Sequence, residues 1–196
     1  LFSLAIIGAV FFITIFGIML NINNTRNIVA LKKAYSIINK VAVYVLNEDY
    51  SAAYWDLDSY SLSSATAAYA QFRPYFRVLR ECSSEKGCWK YPTKFLSGKV
   101  YMARSQPYFY MFTLVDGMNI IMSVLPQDVV KSEFGVNVQK DSLVFIVDVN
   151  GDSFPNQMGR AIFAFVLKND RIVPAGFDNT YNCNKVSSGL SCTSRV

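Results

Sequence analysis

The chain has 196 residues and a formal charge of +5, with 52% hydrophobic and only 17% charged residues, so it can build one compact domain plus an appendage and is not a disordered polypeptide. It contains no histidine, which removes Ser-His-Asp and Cys-His catalysis and the side chain that most often moves protons near neutral pH. Its positive charge is scattered, with no basic run longer than Lys32-Lys33, so a solvated surface accounts for it better than a nucleic-acid tract.

Leu1 to Leu20 reads LFSLAIIGAVFFITIFGIML, and no charge appears before Arg26. A run of about 20 apolar residues matches the hydrocarbon thickness of a bilayer. Ser3 and Thr14 can bond the preceding helical turn, and Gly8 and Gly17 leave room for a second helix to approach. A secretory signal peptide fits badly, because there is no initiator Met, no charged n-region and no clear small-residue cleavage site. A plain membrane anchor is the alternative reading, and Lys32, Lys33 and Lys40 are the flank expected if that end faced the cytoplasm.

The helical pattern continues beyond the apolar run. Ile28, Leu31, Tyr35, Ile38, Ala42 and Val45 recur at steps of three and four, with Asn27, Lys32, Ser36, Asn39, Lys40 and Asn47 largely on the other side. No proline interrupts, so one helix on the order of 75 Å long is predicted from Leu1 to near Asp49. The expected division is a helix over 1–50 and a globular head over 51–196. Within the helix, 1–24 is the apolar half suited to a membrane or a filament core, and 25–50 is the amphipathic half that docks on the head.

Ser51 to Ala70, rich in Ser, Ala and Tyr, reads as a connecting region with a short helix. Phe72 to Glu81 is predicted as another short helix with Pro74 in its first turn. Cys82 to Cys88 reads as a polar loop. Tyr108–Val115 and Met118–Leu125 flank Asp116-Gly117, a strong hairpin signal. Leu143–Val147 is a strand candidate, and Ile162–Leu167 and Arg171–Pro174 flank Lys168-Asn169-Asp170 as a second hairpin. From Asn179 on, the chain is polar and reads as irregular. A long helix followed by mostly antiparallel strands is an α+β architecture.

Four cysteines fall in two local pairs, Cys82 with Cys88 and Cys183 with Cys192, which suggests two disulfides formed in an oxidising compartment. Each would contribute about 2–3 kcal/mol by constraining the unfolded chain. A zinc site is disfavoured by the spacing and by the missing histidine, and free buried thiols are the alternative.

Four segments resemble one family. LAIIGAV at Leu4–Val10 looks like the apolar helix core of type IV pilins and type II secretion pseudopilins, and LKKAYSIINKV at Leu31–Val41 like the helix continuation of one large subgroup. FRPYFRVLRECSSEKGCW at Phe72–Trp89 and VDVNGDSFPNQMGRAIFAFVL at Val147–Leu167 resemble that subgroup's head motifs. The resemblance implies a pilin-like fold, with a long N-terminal helix and a small head containing an antiparallel sheet. The family's mature chain begins with an aromatic residue and has glutamate fifth, whereas the fifth position counted from Phe2 is Ile6. Alignment on LAIIGAV makes Leu1 about the seventh mature residue, which implies that residues including the glutamate precede it. The mid-segment proline common in the family is lacking, and Phe16-Gly17 stands near its place.

The resemblance further implies a non-enzymatic life cycle. A prepilin peptidase trims the precursor in the bacterial inner membrane, the new N-terminus is methylated, and an assembly machinery extracts subunits into a helical homopolymer. The filament lies outside the cell or in the periplasm. Leu4, Ile7, Gly8, Phe11, Phe12, Ile15, Gly17 and Ile18 are the expected filament-core residues. The runner-up is a monomeric, single-span anchored domain whose head binds a ligand.

No cofactor is expected apart from one candidate cation. Asp148, Asn150 and Asp152 place oxygen ligands at alternating positions, as calcium loops do, and some pseudopilins hold calcium in the head. The EF-hand pattern itself fails, with Ser153 at its sixth place and Gly159 at its twelfth, and a tight Asx-type turn explains the same residues. Tyr75, Phe76, Tyr108, Phe109 and Tyr110, near Arg73 and Arg77, could stack on single-stranded DNA, but core packing is the preferred use of these rings. Asn23-Asn24-Thr25 is a formal glycosylation sequon beside the apolar run.

Overall fold

The computed structural model describes residues 25–47, 55–84, 87–101 and 106–196. The filament-core residues Leu4 to Ile18, most of the sequon and the end of the predicted long helix lie outside the described residues. What is described is an N-terminal helix followed by a mostly antiparallel sheet, an α+β arrangement.

Helix α1 spans residues 25–47. Its buried stripe is Leu31, Ala34, Ile38, Val41, Ala42 and Val45, the spacing of a single helical face. Two details depart from the sequence pattern. Tyr35 is 40% exposed and lies flat on Phe165, with ring centroids 5.7 Å apart, while Ala34 takes the core position beside it. Asn27, assigned to the polar side, is buried.

Helix α2 spans Leu62–Phe72 and starts at Ser61, whose hydroxyl accepts the Ser64 backbone N–H at 3.2 Å. It buries Ala65, Ala68, Tyr69 and Phe72. The predicted helix over Phe72–Glu81 does not form. Pro74 instead closes a 3-10 turn at Arg73–Tyr75, and strand β1 runs over Val78–Ser83. Because Pro74 has no N–H and fixes its own φ, it ends the preceding helix here rather than opening a new one.

Strands β2 (Thr93–Lys94) and β3 (Val100–Tyr101) form a small separate hairpin. The main sheet adds β4 (Tyr110–Leu114), β5 (Asn119–Leu125), β6 (Ser142–Asp148), β7 (Ile162–Lys168) and β8 (Arg171–Pro174), in the order β1-β4-β5-β6-β7-β8. Every pair in it is antiparallel. Both predicted hairpins are present. At the second, Asn169 and Asp170 take φ of 47° and 58°, the two left-handed residues that a tight two-residue turn requires between paired Lys168 and Arg171. Helix α3 (Gln127–Phe134) sits in the β5–β6 connection.

Strands β5 and β6 are buried at every position and β7 at all but its last, Lys168, so alternate residues feed two cores. Ile120, Met122, Phe145, Val147, Phe163 and Phe165 face α1 and α2. Ile121, Val144, Ile146, Ala164 and Val166 face the opposite cover, made of Trp89, Met158 and the α3 residues Val130 and Phe134. Disulfides hold that second cover in place. Cys82 pairs with Cys88, and Cys183 with Cys192, as the sequence suggested. The second pair anchors a C-terminal 3-10 segment, Leu190–Arg195, whose Thr193 hydroxyl accepts the Ala164 N–H at 2.9 Å.

The sheet has two edges of different character. β1 joins β4 with two register shifts, and its side chains are exposed or half-buried. β8 is four residues long and ends on Pro174.

Ile38 is fully buried between α1 and the sheet. Ile38→Ala is expected to lower the stability of the domain by about 2–5 kcal/mol, read from urea denaturation midpoints. Truncating the exposed Val43 should cost well under 1 kcal/mol.

Candidate functional site

One end of the sheet gathers the elements that the sequence marked for function. The register sets it: Asn119 opens β5, Asp148 closes β6 opposite it, and Ile162 opens β7. The β4–β5 turn, the β6–β7 loop and the first turns of α1 therefore meet at this end, called the base below. Two contacts dock α1 there. The Asn27 side-chain amide donates to the Arg160 carbonyl at 3.0 Å, and Lys33 pairs with Asp116 at 2.9 Å. The two turns also touch each other. A Cβ on Gly151, which has φ of +60°, would lie 2.3 Å from the Gly117 carbonyl oxygen, so only glycine allows that approach.

A cleft of about 270 Å³ lies between these elements, lined by Arg26, Asn27, Asp116, Asn150, Ser153 and Phe154 among others. The Asn150 side-chain oxygen is buried and has no hydrogen-bond partner among the described residues. Asp116 is occupied by Lys33, and Asp152 is held by Lys90 at 2.5 Å. Phe154 is 74% exposed, and its ring leans on Tyr91 with centroids 5.4 Å apart. Arg26 and Arg160 are both exposed, and no carboxylate is within ion-pair distance of either among the described residues.

The three candidate calcium ligands are close in sequence but stand in different environments. Asp148 is 2% exposed, and its carboxylate accepts the Asn150 backbone N–H at 3.3 Å, the Asx turn that the sequence offered as the plainer explanation. Burial pushes its carboxyl up to about 8; backbone N–H groups of Asn150 and Gly151 oppose that rise, and the neighbouring Asp152 adds to it. At neutral pH Asp148 is therefore largely protonated, and Asp152 is engaged by Lys90. No group of three His, Cys, Asp or Glu side chains able to hold a metal occurs among the described residues. Of the three side chains, Asn150 alone presents an oxygen without a partner among the described residues, and a cation would have to displace the Asp148 proton and the Lys90 ammonium to recruit the other two.

The aromatic residues considered for nucleic-acid stacking are mostly interior. Phe76 and Tyr110 belong to the α1-side core, Phe109 belongs to the opposite core, and Tyr75 stacks on Tyr44. Arg73 is ion-paired with Glu81, and its guanidinium holds that carboxyl below the usual range against a smaller desolvation. The sequence reading gave Asn27 only a place on the polar side of the helix and assigned no role to Phe154 or Arg160. An exposed Phe between Ser153 and Pro155, in a loop that is otherwise polar, was the one signal available for them.

No protein family model, no curated protein and no solved structure matches this chain. Among the described residues no helix is long and apolar enough to cross a membrane, and the apolar run of residues 1–24 lies outside them.

Asp148 gives a pH signature. Its carboxyl in the folded chain titrates near 8 against an ordinary value of 3.8. Between those two values the folded state keeps a proton that the unfolded state releases, so this group lowers stability as pH rises, by up to about 1.4 kcal/mol per pH unit. Asp148→Asn keeps the backbone acceptor and removes the titration. Its stability relative to wild type is expected to rise steadily from pH 4 to pH 8 in urea titrations. Parallel profiles would contradict the neutral, buried carboxyl.

The cation question is open to direct measurement. Calcium titrated by calorimetry into the wild-type chain and into Asp152→Ala is expected to give no binding heat in either. A wild-type heat lost in Asp152→Ala would show that Lys90 yields the carboxylate to a metal.

Proposed function

We propose that this chain is a structural subunit of a bacterial type IV pilus or pseudopilus-like filament that polymerises through its apolar N-terminal segment. The observation supporting this most directly is the way α1 joins the domain. Its buried stripe is part of the main core, and its first turns are fixed to two loops at the base. Immediately before it in sequence come 24 residues without a charge. A helix built into a core in this way transmits load to the sheet, as a stalk must and a loosely linked anchor need not.

Two further observations fit. Disulfides at Cys82–Cys88 and Cys183–Cys192 suit an oxidising compartment outside the cytoplasm. The segment resemblances over Leu4–Val10, Leu31–Val41, Phe72–Trp89 and Val147–Leu167 point to the pilin and pseudopilin family. On this reading the subunit waits in the inner membrane after trimming by the prepilin peptidase, and is then drawn by an assembly machinery into a homopolymer. Leaving lipid gains little hydrophobic energy, so close packing around Gly8 and Gly17 must hold the core together. The subunit's role is structural and requires no catalytic site.

Electron microscopy of the native material tests this. Uniform filaments containing the chain are expected, and Gly8→Phe should abolish or strongly reduce them while the domain still folds. Dispersed membrane particles alone would favour a single-span anchored binding domain, and normal filaments from Gly8→Phe would count against close helix packing there.

A further inference from the structure

We propose that the base of the domain is a lipid-facing surface, in which Arg26 and Arg160 engage lipid phosphates and Phe154, backed by Tyr91, enters the acyl boundary of the bilayer. The inference rests on the reading that residues 1–24 occupy lipid before assembly. It adds that the folded domain itself touches the membrane in that state.

Position is the first reason. The apolar run ends at Leu20, the first charge is Arg26, and α1 is already helical at its first described residues. A run of about 20 apolar residues spans the hydrocarbon, so its end comes to the headgroup layer. Arg26 follows Leu20 by six residues, across the polar stretch Asn21-Ile22-Asn23-Asn24-Thr25. Asn27 and Lys33 then fix the β6–β7 loop and the β4–β5 turn to this part of the helix. Whatever surface those loops carry is thereby held near the headgroups.

Charge is the second. The base has two surface carboxylates close to the cleft, Asp116 and Asp152, and each is neutralised by its own lysine. Arg26 and Arg160 remain exposed without such a partner among the described residues. Guanidinium groups bind phosphate bidentately, and each basic residue near an anionic leaflet is worth about fivefold in binding.

The third is the exposed apolar surface. Phe154 is 74% exposed and Val29 is 64% exposed, and they line two adjoining clefts at the base that share Arg26 and Asp116. A phenyl ring beside a tyrosine, in a cleft it shares with Arg26, matches the side chains enriched at membrane–water interfaces. A protein partner would also accept an aromatic projection. The direct continuation into 24 uncharged residues favours lipid.

Site-directed spin labelling of the full chain in bilayer nanodiscs tests the proposal, with and without anionic phosphatidylglycerol. Labels are placed one at a time at Phe154→Cys, at Gln139→Cys near the opposite end of the sheet, and at Ile15→Cys in the apolar run. Collision with oxygen reports lipid, and collision with a water-soluble nickel chelate reports solvent. The proposal predicts a lipid-like label at 154, a solvent-like label at 139 and a deeply buried label at 15. Adding Arg26→Gln and Arg160→Gln should shift the label at 154 toward solvent, about fivefold per arginine in its docked-to-free ratio, in the anionic bilayer only.

A solvent-like label at 154 with a buried label at 15 overturns the lipid-facing base and leaves the filament reading intact. A solvent-exposed label at 15 overturns both. A lipid-like label at 154 that ignores both arginine changes overturns the phosphate contact. Retained far-UV circular dichroism in each variant guards against misfolding.

Discussion

A sheet that is apolar on both faces needs two covers, and the rest of this structure follows from that requirement. Strands β5, β6 and β7 expose almost nothing on either side. Residues such as Phe145 and Phe165 on one face and Ile146 and Val166 on the other would each cost about 1.5–3 kcal/mol if returned to water. Helix α1, assisted by α2, supplies one cover. The other is assembled from short pieces: α3, the residues after the first disulfide and the C-terminal turn held by the second. Pieces this small cannot hold their own shape through burial alone, which is why both cross-links are on this side. The helical side needs none, because α1 is stiff over its whole described length.

This asymmetry bears on the proposed role. The helix that would join the filament is also half of the domain's core, so the polymerising element and the folded domain cannot be uncoupled without unfolding. On the proposed reading, the same geometry sets the height of the domain above the lipid, with Asn27 and Lys33 tying the base loops to the first turns of α1.

Much of the fold was legible in the sequence, and the failures have physical causes. The α1 stripe could be read because helical spacing was sustained over several turns. The two hairpins could be read because Asp116-Gly117 and Asn169-Asp170 carry their own turn chemistry. The neighbouring cysteines paired as their spacing suggested. Strand β1 was missed because an edge strand with exposed Leu79, Arg80 and Glu81 has no burial alternation to display. Pro74 then misled, since proline suits the first turn of a helix and equally the end of one. Helix α3 has only Val130 and Phe134 to face inward, too few for a periodic signal, although Gly135 in the left-handed conformation closes it. At the base, the DVNGD pattern announced a turn but not its surroundings. The burial of Asp148 depends on Asn119 across the ladder and on the distant Gly117 turn touching Gly151, and neither is visible in local spacing.

The two edges of the sheet have a consequence wherever copies of the chain are crowded, as the proposed filament subunits would be: an open, flat strand edge would let two sheets join through their backbones. β1 is bulged, with exposed charged side chains along it. β8 is short, stops at Pro174, and is followed by a C-terminal turn whose Ser194 N–H bonds the Ala175 carbonyl. Neither edge offers a straight row of free donors and acceptors, so strand addition and the amyloid-like growth it leads to are discouraged. Contact between copies is thereby steered toward side-chain surfaces, where it stays reversible.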